Sequence, residues 1–75
     1  MDPKTERMMN AAMALLEEYK VVRLTHKSGR VEDIGYPALQ DEAPDFLEGA
    51  FVESIMCHDP IVSAKGVPAN EVKDA

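Results

Sequence analysis

The sequence predicts an α+β domain: a small, mostly antiparallel three-stranded sheet with two helices on one face, in the order α-β-β-α-β. Three observations carry that prediction. Residues 4–19 and 44–56 space their apolar side chains at helical intervals. Two β-branched runs flank Lys27-Ser28-Gly29, as in a hairpin. A third apolar run follows His58-Asp59-Pro60, a segment that breaks helices.

The first helix starts at Asp2-Pro3. An aspartate accepts from the free N–H groups of a first turn, and proline suits the first helical position because its missing N–H would have no partner there. The stripe that follows includes Met8, Met9, Ala12, Met13, Leu16 and Tyr19. Its methionines are expected to fill the core, since so small a domain needs all its apolar residues. The stripe is wide enough that part of it could serve as a helix–helix dimer seam.

Lys20 to His26 alternates as a strand, and Arg30 to Tyr36 forms its partner. A three-residue loop sets Val22 against Ile34 and Leu24 against Glu32 on one face, with Arg23 against Asp33 on the other. A two-residue loop would set Leu24 against Asp33, so the longer loop is preferred. Pro37 ends the hairpin, and residues 38–43 read as a linker or short turn. Pro44 opens the second helix, whose expected inner stripe is Phe46, Leu47, Ala50, Phe51, Ile55 and Met56. Gly49 lies within it and costs up to ~1 kcal/mol relative to alanine. Ile61 to Lys65 is a third short strand, and Gly66-Val67-Pro68 reads as a turn.

A chain of 75 residues makes one domain. Residues 1–68 are expected to form the compact part and 69–75 a flexible tail. Cys57 is the only cysteine, so no disulfide can form within the chain, and a reducing, cytoplasmic compartment is expected. Oligomerisation, as a homodimer, is the remaining aid to a small core. No signal peptide is read at the N-terminus, and no run approaches the ~20 apolar residues of a membrane span.

The net charge is −6, unevenly placed. Residues 1–31 carry +2 and residues 32–75 carry −8. No Lys or Arg lies between Arg30 and Lys65. Within that gap Glu32, Asp33, Asp41, Glu42, Asp45, Glu48 and Glu53 are the candidate partner-binding residues, fitted to a basic protein surface. Part of this acidity has a structural reason, because the start of a helix favours negative charge.

Motifs for chemistry are absent. Cys57, His58 and Asp59 are adjacent, and adjacent side chains diverge, which suits neither a Cys–His nucleophile nor a metal site. The zinc spacings are missing, so no metal and no cofactor is expected, and Cys57 is read as a buried small hydrophobe. Carboxylate pairs such as Glu32-Asp33 lack room for the cleft that acid–base catalysis needs. No phosphate loop, dinucleotide fingerprint or nucleophile elbow is present, and the chain is read as not an enzyme.

The expected function is therefore a non-catalytic binding or regulatory protein whose acidic face occupies a basic, nucleic-acid-binding surface of a protein partner. In size and acidity alone, the chain resembles small inhibitors encoded by phages and mobile elements, including anti-CRISPR and anti-restriction proteins. The alternative is a small dimeric regulator that binds nucleic acid through a basic hairpin, using Lys20, Arg23, Lys27 and Arg30 with His26 nearby. The surrounding acidity and the scarcity of aromatic residues make nucleic acid the weaker expectation.

Overall fold

The computed structural model describes residues 2–35 and 42–71. Its elements are α1 (Pro3–Glu18), β1 (Val21–His26), β2 (Val31–Gly35), α2 (Ala43–Met56) and β3 (Ile61–Val67), followed by a 3-10 turn at Ala69–Glu71. The architecture is the expected one, with three antiparallel strands in the order β2-β1-β3. Asp41, the segment read as a linker before it, and residues 72–75 of the expected tail lie outside the described residues.

Local chemistry sets the first boundaries. The Asp2 carboxylate accepts from the backbone N–H of Lys4 (2.8 Å) and of Thr5 (3.1 Å), which satisfies two donors of the first turn of α1. The hairpin has the predicted register: Val22 faces Ile34, Arg23 faces Asp33 and Leu24 faces Glu32. At its turn, Gly29 adopts φ +96°, a left-handed conformation natural to glycine.

β1 is the central strand, so its inner side chains meet both helices. Val22 and Leu24 are fully buried and form one cluster with Ala12 of α1, Leu47, Ala50 and Phe51 of α2, and Ile61 of β3. Met8, Met9 and Met13 pack against this cluster while staying partly exposed. α1 lies over β3 and β1; α2 lies beside α1 and over β2.

Two elements differ from the sequence reading. Gly66 and Val67 do not turn; they extend β3, pairing with Val22 and Val21. A side chain at position 66 would project into the ring of Tyr19, so this glycine serves a close approach between α1 and the sheet. The inner face of α2 is also shifted. Leu47, Ala50, Phe51 and Ser54 are buried, whereas Phe46, Ile55 and Met56 are exposed. Ser54 can take the inner position because its hydroxyl donates to the Phe51 carbonyl (2.7 Å), leaving no unsatisfied polar atom. Among the described residues, no helix is long and apolar enough to cross a membrane.

Candidate functional site

The acidic residues fall into two groups with different surroundings. Those of the hairpin already have partners. Asp33 receives a two-pronged bond from Arg23, Nε to Oδ1 at 2.9 Å and Nη2 to Oδ2 at 3.1 Å. That carboxylate raises the pKa of the guanidinium, chiefly through the hydrogen bonds. Glu32 points inward, where its Oε2 lies 2.6 Å from His26 Nε2 and 3.4 Å from Arg30 Nη2.

His26 was expected to add to a basic surface, and here the structure corrects the sequence reading. The residue is only 1% exposed. Its position continues the inward alternation of Val22 and Leu24, and that periodicity was the available signal. Nδ1 lies 2.7 Å from the Asp59 carbonyl oxygen. A carbonyl only accepts, so Nδ1 carries a proton and donates. Nε2 then accepts from Arg30 (3.2 Å) when the ring is neutral, or donates to Glu32 when it is charged.

Asp59 completes this cluster. Its carboxylate accepts from the Ser28 hydroxyl (2.7 Å) and the Ser28 N–H (2.9 Å), tying the α2–β3 connection to the hairpin turn. Those two bonds lead the causes that hold its pKa below the ordinary carboxylate value; His26 and Arg30 add attraction. Serine, histidine and aspartate thus meet, but not in the order of a catalytic triad. The serine hydroxyl is bonded to the aspartate, and both ring nitrogens of the histidine are engaged elsewhere. The cluster has the geometry of a clamp.

Cys57 and His58 lie outside it. Cys57 is exposed, not buried as expected, because the chain reverses immediately after α2. His58 takes φ 54° and donates its N–H to the Ile55 carbonyl, while the Asp59 N–H reaches the Ser54 carbonyl. This paired bonding closes the helix end, a place usually given to glycine. Among the described residues, no three His, Cys, Asp or Glu side chains converge as metal ligands would.

The second acidic group is on α2. Glu42, Asp45, Glu48 and Glu53 are exposed, and their carboxylates bond no other side chain among the described residues. Among the described residues, four of the six exposed large apolar side chains are on the same helix: Phe46, Val52, Ile55 and Met56. The outer face of α2 is therefore both acidic and apolar, a combination that singles out interaction surfaces. Along it runs an open groove of about 560 Å³, lined by Asp45, Glu48, Gly49, Val52, Glu53 and Met56. The acids were legible in the sequence, but Met56 was assigned to the inner stripe and Gly49 and Val52, which lie off that stripe, were given no outward role.

The basic candidates are dispersed. Lys20 is exposed just before β1, and Lys27 is exposed at the hairpin turn. Arg23 projects from the outer sheet face toward Asp33, and Arg30 reaches toward Glu32 and Asp59. No family model matches the chain, and no curated protein or solved structure matches it either.

Proposed function

We propose that this protein is a non-catalytic binding protein of regulatory type, whose α2 outer face occupies a basic surface of a protein partner. The observation that carries this reading is the division of the acids. Those of the hairpin are bonded within the fold, while those of α2 face solvent beside exposed Val52 and Met56. Charges that bond no other side chain among the described residues are available to steer an association, and the apolar residues between them supply area to bury. Where the partner's basic surface otherwise holds nucleic acid, occupation by this face is inhibition.

The alternative, nucleic-acid binding by the hairpin, has less support. Arg23 and Arg30 each face carboxylates, so these two cations are partly neutralised.

The test is capture of partners by tagged protein, comparing the wild-type chain with a variant carrying Glu42→Lys, Asp45→Lys, Glu48→Lys and Glu53→Lys. A partner that the reversed variant loses, and that the wild-type chain releases as salt rises, supports the proposal. Partners retained by the reversed variant would overturn it. A mobility shift of nucleic acid at low salt that Lys27→Glu abolishes would favour the hairpin instead.

A further inference from the structure

α2 has two faces of different composition. Leu47, Ala50, Phe51 and Ser54 are committed to the core. On the opposite side Asp45, Gly49, Val52 and Met56 recur at intervals of four, three and four, the spacing of a coiled-coil seam. Glu48 and Glu53 fall at the positions that flank such a seam and select its partner by charge. These six residues line the groove described above.

Gly49 adds an independent argument. Of the four glycines, Gly29 and Gly35 have positive φ, and Gly66 makes room for Tyr19. Gly49 does none of this: a Cβ there would meet nothing within 4 Å. It weakens the helix with no return among the described residues. Its effect is outward, since the missing side chain lowers the floor of the groove at a seam position and admits a close approach.

We infer that this groove docks an amphipathic helix of a protein partner, one whose apolar seam is flanked by Lys or Arg. The inference rests on the reading of α2 as the binding face and names what that face takes. The acidic flanks disfavour a second copy of α2, which would set Glu48 and Glu53 against carboxylates. They repel phosphate backbones in the same way. A β-strand finds no docking edge here, because the backbone bonds of α2 are closed within the helix.

The experiment titrates the full chain with two synthetic peptides of about 21 residues, three heptads each. Both carry leucine along the seam; one has lysine at the flanks and the other glutamate. Binding is read by fluorescence anisotropy. The lysine peptide is expected to bind saturably, at least about tenfold more tightly than its twin. Glu48→Lys with Glu53→Lys should reverse that preference. Gly49→Gln should weaken binding by about tenfold or more while raising Tm, because a better helix former then fills the notch. A folding defect cannot produce that pairing of effects.

Equal affinity for the two peptides, no binding of the lysine peptide, or unchanged binding by Gly49→Gln would each overturn the inference. So would self-association of the free chain that Gly49→Gln abolishes, which puts a second copy in the groove. If captured partners are lost on reversing the α2 charges but survive Gly49→Gln, the α2 reading stands and helix docking falls. If captured partners survive both changes, the reading of α2 fails as well.

Discussion

The ring of Tyr19 occupies the space into which a side chain at position 66 would project, so Tyr19 and Gly66 are a fitted pair joining the end of α1 to β3. Both residues are half-buried. Gly66→Ala is expected to destabilise the fold by about 1–3 kcal/mol, because the new methyl group must displace the ring. Without that contact the sign would reverse, since alanine leaves the unfolded chain less freedom to lose on folding than glycine does. Urea denaturation of Gly66→Ala, Tyr19→Ala and the double variant checks the pairing. The double variant should recover part of the loss from Gly66→Ala, and additive losses would show that the ring does not set the cost.

The buried His26 leads to a second expectation. Its ring fills core volume and supplies the donor for the Asp59 carbonyl. His26→Ala should cost about 2–4 kcal/mol, from the cavity and from unsatisfied polar groups together. His26→Phe restores the volume alone and should cost about 1–3 kcal/mol. Denaturant midpoints measure both. Equal stability of the phenylalanine variant and the wild type would mean that packing, not the polar clamp, holds this end of the hairpin.

Acid should loosen the same clamp. Bonds from Ser28 hold the Asp59 carboxyl below its ordinary value of 3.8. The folded chain therefore binds fewer protons there than the unfolded chain does, and this contribution is complete only above the ordinary value. It disappears as pH falls through the lowered one. Asp59→Asn should melt below the wild type at neutral pH, with the two Tm values converging as pH falls below the ordinary carboxylate range. A Tm difference that is constant from neutral to acidic pH would remove the carboxylate charge as its cause.

These sites differ in how far the sequence discloses them. The hairpin register was legible because only one loop length puts Val22 and Leu24 on the core side and Arg23 beside Asp33. The start of α1 was legible because an aspartate cap bonds groups two and three residues away. The clamp was not: Asp59 is 33 residues from His26, and the strand pattern alone does not show that a polar ring will find a carbonyl there. Gly66 was misread because glycine and proline close together signal a turn, whereas Tyr19, which explains it, lies far away in sequence just past α1. On α2 the difficulty was a surplus of apolar residues. Helical spacing permits more than one inner face, and the sheet it meets decides between them. The acidic half of the candidate site was thus visible in the sequence, and the groove between the acids was not.

The closing residue of α2 offers a stabilising change. His58 has φ 54°, which costs most residues about 1–2 kcal/mol and glycine little. Its side chain is exposed. His58→Gly should raise stability by up to about 1 kcal/mol and leave the helix content unchanged. Circular dichroism melts measure both quantities. A lower Tm would mean that the imidazole contributes a contact worth more than the strain it tolerates.

The carboxylates of α2 permit a sharper separation of fold from function. Glu48 and Glu53 are exposed, lie beyond the first turn and bond no side chain among the described residues. Reversing them should therefore leave the stability within about 0.5 kcal/mol of the wild type, as for surface changes generally. The change also brings the net charge of −6 nearer zero, which relieves repulsion within the chain. Urea denaturation of Glu48→Lys with Glu53→Lys measures the outcome. A loss well beyond that range would assign the two glutamates to the fold and leave their exposure explained without a partner. Unchanged stability together with lost partner capture would mean that the outer face of α2 is acidic for something outside this chain.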